Sequence, residues 1–281
     1  MTTGTRIPTL TITGMGITTT ESEVAVDASL DWLASLLQTS DTLFPSGGYA
    51  HSYGLEELVA MGQVTDATSL KRFLHEDVLP TLERLELPYL RFCHEAALNH
   101  DCEALFALDE EIGSWKLTRE IREASVSQGR QLLRMLDQVF DDEFARAFAR
   151  KAIERKSPCH QITVWSLLRS SQGTPLESML IAWVYQSVST FCSASVKLLR
   201  IGEVACQRII RSCLQPETVR ELVRRSCFVE RNDAGWFNPL LDVASARHET
   251  VFSLLAISLL RTIIIFSVPV SVSSVVPVDP D

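Results

Sequence analysis

The chain has 281 residues, of which 46% are hydrophobic and 22% charged, a composition typical of a globular protein with a sizeable core. Its net charge of −9 does not fit a protein that coats nucleic acid, because such proteins carry a basic face. The seven cysteines are odd in number and none lies in a Cys-x-x-Cys pair. The sequence therefore predicts buried free thiols in a reducing compartment.

The first 27 residues contain no long apolar run, so no secretory signal is predicted there. They are rich in threonine, carry Arg6 as their one cation, and contain acidic residues that a transit peptide would lack. We interpret residues 1–27 as a flexible leader. No alternating run bounded by turn signals precedes residue 263, so no strand is predicted before that point.

From Leu30 onward the apolar residues recur mostly at helical spacing. The first helix places Leu30, Leu33, Leu36 and Leu37 on one face. A short second helix ends at Gly62.

The third helix starts at Asp66 or Thr68, and Pro80 and Pro88 are expected to kink or divide it. Further helical segments are predicted near 105–112, 115–139, 144–153, 160–170, 175–192, 194–214, 216–227 and 241–260. The pattern predicts an all-α protein, a single-domain bundle of about ten helices spanning residues 28–255.

The C-terminal part of the chain has a different composition. Residues 251–270 are nearly all apolar and long enough to span a bilayer, but Arg261 lies at their centre, where a cation is costly. A packed or partner-docking segment is favoured over a membrane span, and a tail without function remains a third possibility. We treat residues 256–281 as an atypical apolar tail.

Histidine and cysteine residues lie close together at two places in the sequence, residues 93–102 and the pair Cys159-His160. Cys93, His94, His100 and Cys102 lie close together but not at the spacing of helical metal ligands, so no metal site is predicted. The sequence contains neither a nucleophile elbow nor a Walker loop. One enzymatic alternative stays open, a metal-dependent helical enzyme that uses His94, His100 and His160.

The stretch FPSGGYAHSYGLEEL, residues 44–58, is the most glycine-rich part of the chain. Gly47 and Gly48 lack a nearby cation, and two acidic residues begin at Glu56, so a tight turn is favoured over phosphate binding. Gly54 is expected inside the following helix, where glycine costs about 1 kcal/mol. Such a glycine indicates the close approach of another backbone, through packing or at an interface.

Three blocks of the sequence, in order, resemble motifs of the urease accessory protein UreF family. They are PSGGYAHSYGLE at 45–56, ASVKLLRIGE at 194–203 followed by Gln207-Arg208, and PLLDVASARHE at 239–249. The resemblance covers about residues 30–255, and His160 is similar to a histidine that opens a helix in the family. Three ordered blocks are more specific than any one of them.

The resemblance implies an all-helical cytosolic scaffold with no catalytic centre, cofactor or metal site of its own. Members of the family form homodimers and bind the accessory protein UreD, also called UreH. That assembly recruits the GTPase UreG, which carries nickel to apo-urease, and a role in regulating the GTPase has been proposed for the family.

Carried over to this sequence, the resemblance assigns partner binding to residues in all three blocks. These are Gly47, Gly48, Tyr49, Ser52, Gly54, Glu56, Lys197, Gln207, Arg208, Arg247, His248 and Glu249. For Lys197 and Arg208 an ion pair inside the fold is an equal alternative. For the Arg-His-Glu run at 247–249 the alternative is a solvated helix face.

The sequence departs from the family pattern at several positions. Arg200-Ile201-Gly202-Glu203 replaces Pro-Leu-Gly-Gln, and both Cys206 and Ser166 stand where the family has glycine. After Glu249 the chain also lacks an expected arginine.

Overall fold

The computed structural model describes residues 5–13, 16–24, 30–40, 54–140, 142–235, 238–239 and 243–244, with the backbone alone for residues 5–24. The predicted apolar tail at 256–281, the segment 251–270 and most of the predicted helix at 241–260 lie outside the described residues. The predicted domain boundaries at residues 28 and 255 also lie outside them.

Two β-strands precede the helices. β1, Thr5–Thr13, and β2, Gly16–Val24, pair antiparallel, with Thr9 opposite Thr20. The prediction that no strand precedes residue 263 is therefore wrong. Threonine and isoleucine recur in both strands, and their β-branched side chains favour extended backbone. The flexibility of residues 1–27 stays a prediction.

Ten helices form the described part of the chain after residue 30, which confirms the predicted all-α bundle. In chain order they are α1 (Asp31–Ser40), α2 (Leu55–Ala60), α3 (67–98), α4 (Cys102–Trp115), α5 (Arg119–Val139), α6 (Glu143–Arg155), α7 (Gln161–Ser171), α8 (Leu176–Leu198), α9 (Glu203–Cys213) and α10 (Pro216–Cys227).

Three of these helices begin at an aspartate that caps them. The carboxylates of Asp66, Asp101 and Asp142 each accept a hydrogen bond from the backbone N–H three residues further on, at 2.8, 3.0 and 2.5 Å respectively. This contact satisfies a donor that the first helical turn leaves without a partner. Of the two predicted starts of α3, the structure therefore selects Asp66.

Helix α3 continues through both of its prolines. A π-helical turn, Leu74–Val78, lies directly before the turn with Pro80, and a second one, Leu82–Glu86, lies directly before the turn with Pro88. A π-helical turn widens the helix locally and so relieves the clash between a proline ring and the preceding turn. Of the two predicted effects, a kink or a division, the division does not occur for this reason, and the kink stays a prediction.

Helices α7 and α8 lie at the centre of the bundle. All residues of α7 from 162 to 169 are buried, and the helix packs against α3 and α5. Within the described ranges, α8 is the one helix long and apolar enough to cross a membrane by length and composition. One face of α8, with Leu180, Trp183 and Val188, is buried in the core of the bundle.

The edge of the bundle at α1 is less buried than the apolar pattern suggests. Leu36 lies in the core, whereas Leu33 and Leu37 are exposed although they belong to the same predicted face. Helix α1 packs on α8, so one narrow side of α1 meets the bundle.

Candidate functional site

The structure describes some of the predicted partner-binding residues, namely Gly54, Glu56, Lys197, Gln207 and Arg208. Those outside the described residues are Gly47, Gly48, Tyr49, Ser52, Arg247, His248 and Glu249.

Gly54 lies immediately before α2 and not inside a helix, which corrects the sequence interpretation. Its φ of 83° is in the left-handed region, and its carbonyl accepts a hydrogen bond from Leu58 N at 3.2 Å. The positive φ explains the glycine, because a side chain is strained in that conformation. Glu56, two residues later, is only 6% exposed and has an interaction partner. Its role in partner binding stays a prediction.

The second block lies where α8 ends and α9 begins. Lys197, Gln207 and Arg208 are exposed, and Lys197 has an interaction partner. On the inner side, Ser195 Oγ lies 3.7 Å from the sulfur of Cys206, the residue that stands in place of a family glycine. The cysteine therefore fills the space between the two helices, while the polar side chains of the block point to solvent.

A buried carboxylate that no sequence pattern singles out holds the start of α7. Asp109 on α4 is fully buried and accepts four hydrogen bonds. Its Oδ1 accepts from His160 N and Thr163 Oγ1, both at 2.7 Å. Its Oδ2 accepts from Cys159 N at 2.7 Å and Ser157 Oγ at 2.8 Å. A negative charge at a helix N-terminus satisfies the free N–H groups and complements the helix dipole.

His160 precedes α7 directly, which agrees with the expected histidine at a helix start. It is fully buried, and its Nδ1 lies 3.1 Å from Ser125 Oγ on α5. Burial lowers the pKa of His160 to about 4. The carboxylate of Asp109 acts to raise this pKa, whereas the cations of Lys116 and Arg122 act to lower it further. The imidazole is therefore neutral at neutral pH, which suits a packed core position.

Gly129 lets α5 pass against the segment that leads into α7. A Cβ atom at this position would lie 1.9 Å from Cys159 O and 2.7 Å from His160 C, so a side chain does not fit. The signal in the sequence was a glycine inside an otherwise helix-forming segment. On the other side of α7, the hydroxyl of Ser166 donates to Leu90 O at 3.2 Å and so binds α7 to α3.

The histidines of the enzymatic alternative have separate surroundings. His94 Nε2 lies 3.3 Å from Thr174 O, the ring of His100 stacks on Phe144 with centroids 4.6 Å apart, and His160 bonds to α5. Among residues 30–40, 54–140 and 142–235, no group of three His, Cys, Asp or Glu side chains is placed to hold a metal ion. The described part of the chain does not bring the three histidines into one site.

The cysteines are free thiols, as predicted, and all but Cys227 are buried. Burial raises the pKa of Cys159 to about 11 and that of Cys192 to about 12. Because the thiolate is the reactive form, these cysteines are poor nucleophiles at neutral pH.

The chain that follows α10 is fastened across α3 and α4 on its way to the third block. Arg231 Nε donates to Glu111 Oε2 on α4 at 3.0 Å. Gly235 N donates to the carbonyl of Arg84 at 3.0 Å, and Pro88 leaves that carbonyl without its usual helical donor. These contacts hold the chain after α10 against α3 and α4 as far as Gly235.

Comparisons with known proteins point to one family. A model of the UreF family matches residues 64–214. The chain is 32% identical over 221 residues to the urease accessory protein UreF of Azotobacter vinelandii, covering 78% of this chain and 96% of that protein. It is 28% identical over 229 residues to the UreF of Kocuria rhizophila, covering 80% and 96%, and 28% identical over 222 residues to that of Paenarthrobacter aurescens, covering 79% and 96%.

Proposed function

Because the chain belongs to the UreF family of urease accessory proteins, we propose that it is a non-catalytic scaffold for urease maturation. In this proposal it assembles with the accessory protein UreD/UreH and the GTPase UreG, and the assembly delivers nickel to apo-urease. The observation that carries the proposal is the 32% identity to the Azotobacter vinelandii UreF over 96% of that protein. A match of this length includes the helical bundle as a whole and not a single motif.

The exposed side of the second block is the part of the described structure best suited to contact a partner. Gln207 and Arg208 lie next to each other on the outer face of α9, whose inner face is held to α8 through Cys206. A rigid helix that presents an arginine is a favourable contact surface, because the guanidinium group can bind a carboxylate through two hydrogen bonds. We assign this face to an accessory protein or the GTPase.

Self-association and a cytoplasmic location belong to the same proposal. The scaffold acts as a homodimer in the cytoplasm. It positions the GTPase within the assembly, and a change in the rate of GTP hydrolysis is a second effect that the assembly can have. Light scattering coupled to size-exclusion chromatography tests the dimer directly. A monomer at all accessible concentrations would contradict it.

The assembly is tested by co-expressing the chain with UreD/UreH and a tagged UreG from the same genome. The chain should be recovered with the tagged GTPase. Arg208→Ala should lower the recovery several-fold, since loss of a central interface arginine typically costs more than about 1 kcal/mol of binding free energy. Arg150→Ala, which removes an exposed arginine from α6, is the matched control and should leave recovery unchanged.

Two further variants extend the test to the other blocks. Glu56→Ala and Arg247→Ala should also weaken the complex while far-ultraviolet circular dichroism shows unchanged helicity. Full recovery of all three variants would reject the assigned interface. Failure of the unmodified chain to bind either accessory partner would reject the scaffold itself.

A further inference from the structure

The edge of the bundle at α1 exposes a row of leucines. Leu30, directly before the helix, and Leu33 and Leu37 within it recur at helical spacing, and Leu37 is 64% exposed. Ile181 and Tyr185, one turn apart on the neighbouring helix α8, are exposed as well. Single exposed apolar side chains need no explanation, but a row of them on one side of a helix marks a surface that something covers.

The charges next to these leucines are acidic. Asp31 is the one charged residue of α1, and Glu177, one turn before Ile181, is the one charged residue of α8 before Lys197. Both carboxylates are exposed, and neither forms an ion pair with another described residue. An apolar surface with an acidic rim suits an apolar segment that carries a cation.

One segment of the same chain has this composition. Residues 251–270 are nearly all apolar, and their one charged residue is Arg261. Such a segment is stabilised when its side chains are removed from water, and the cation at its centre disfavours the interior of a bilayer as the place where this happens. The exposed leucines of α1 are an apolar surface that the segment can cover.

The chain is long enough for this segment to reach α1. Asn238 Nδ2 donates to Asp77 Oδ1 at 3.2 Å, which places residue 238 beside α3. One turn earlier in α3, the ring of Phe73 packs edge-on against Phe191 of α8, with centroids 5.5 Å apart. Further along α8, the side chain of Gln186 donates to the backbone of α1 at 3.5 Å. This route is about 30 Å long, and even a wholly helical chain, which advances about 1.5 Å per residue, covers that distance between residues 238 and 258.

We propose that residues 251–270 pack against Leu30, Leu33 and Leu37 and so cover the apolar edge of the bundle, with Arg261 on the solvent side of the contact, towards the acidic rim. The contact joins two parts of one chain, so the proposal is independent of the assembly with urease accessory proteins. A second copy of the chain and a lipid bilayer are the other occupants that such a surface can have, and each gives a different result in the test.

Brief digestion of the full chain with trypsin measures whether Arg261 is protected. Arg261 is the one Lys or Arg after Arg247, so release of the peptide 262–281, followed by mass spectrometry, reports cleavage at this residue whatever other sites are cut. A docked segment is cut only while it is detached, so the release should be slow. Leu33→Ser combined with Leu37→Ser should speed the release at least tenfold. Ile153→Ser, which changes a 79% exposed apolar residue on α6, is the matched control and should leave the rate unchanged.

A reciprocal variant keeps the proposal testable if the α1 variant does not fold. Ile263→Ser, Ile264→Ser and Ile265→Ser together leave the sequence of the described helices unchanged. Amide hydrogens of α1 should then exchange several-fold faster than in the unmodified chain, whereas those of α6 should keep their rate. Unchanged exchange in α1 would contradict the contact.

The other occupants are distinguished by the same variants. The proposal is overturned if the peptide 262–281 leaves the unmodified chain as fast as it leaves the variant with Leu33→Ser and Leu37→Ser. If that variant instead turns a dimer into a monomer in light scattering while the release rate stays the same, a second copy covers α1. If Arg261 is protected only when phosphatidylcholine vesicles are added and the chain sediments with them, the segment enters a bilayer, and the proposal fails as well.

Discussion

Replacing Asp109 by asparagine tests how the chain holds the start of α7. The change keeps the shape of the side chain and turns one acceptor oxygen into an NH2 donor. Each carboxylate oxygen accepts one backbone N–H and one hydroxyl group. In either orientation of the amide, the backbone N–H of Cys159 or of His160 therefore loses its acceptor and faces another donor. The hydroxyl group on that side can rotate and accept instead.

The expected loss in the free energy of unfolding follows from that one backbone contact. A hydrogen bond to a charged acceptor contributes about 1.5–3 kcal/mol to stability. Asp109→Asn also leaves a buried N–H without a partner, so we expect the free energy of unfolding to fall by about 2–4 kcal/mol in total. The effect is large compared with a typical total stability of about 5–15 kcal/mol.

Urea unfolding followed by circular dichroism measures this difference. The matched control is Glu110→Gln on the neighbouring residue, which is exposed and loses the same charge, and it should change stability by less than about 0.5 kcal/mol. Native-state amide exchange should in addition become faster at Cys159 and His160. If the free energy of unfolding of Asp109→Asn differs from that of the unmodified chain by less than about 0.5 kcal/mol, the hydrogen bonds of Asp109 do not stabilise the fold by the expected amount.

Three more changes can be measured by the same unfolding assay. Gly129→Ala should destabilise by about 3 kcal/mol or more because its Cβ would lie 1.9 Å from Cys159 O. The control Gly202→Ala has open space around it but replaces the N-cap residue of α9, so it should cost no more than about 1 kcal/mol. His160 binds a proton near pH 6.5 in the unfolded chain but only near pH 4 in the folded one. The free energy of unfolding should therefore fall by about 3 kcal/mol as the pH drops from 6.5 to 4, and His160→Asn should lose this contribution. Arg231→Ala removes an ion pair with Glu111 whose side chains are 45% and 40% exposed, so it should lower the free energy of unfolding by less than about 1 kcal/mol, and by less still at high salt. A larger loss would mean that the pair holds the chain after α10 more tightly than its exposure indicates.

The helices were predictable because their signals are local. Apolar periodicity locates most of α3 to α10, and the capping residue Asp66 fixes one start within the two candidates that the sequence offered. Helix ends that depend on packing were harder to predict from the sequence. Helix α8 continues past its predicted end at residue 192 to Leu198, close to the turn where Arg200 has a φ of 53°. The hairpin at 5–24 was missed because the alternation of polar and apolar residues at 9–13 in β1 does not continue into β2, where residues 18–23 are all polar.

The site depends on contacts between distant parts of the chain, which a single sequence does not display. Asp109 meets the segment around His160 only after α4 and α7 have packed, with about fifty residues between them in the chain. Nothing local distinguishes Asp109 from the acidic residues beside it. His160 was found by family resemblance, and its burial and bonding to α5 could not have been inferred from its neighbours.

The position of α7 determines how mutations elsewhere should be interpreted. Three neighbouring helices hold α7 in place, through Asp109 on α4, Gly129 on α5 and the bond from Ser166 to α3. Changes at these residues therefore affect folding, and any effect on partner binding follows from that. Arg208 on α9 is exposed, and its truncation leaves the contacts of α7 intact. A variant that loses the complex at unchanged stability therefore reports on an interface, whereas loss of both reports on the bundle. Measuring unfolding and complex recovery on the same variants separates effects at the surface of the bundle from effects in its interior.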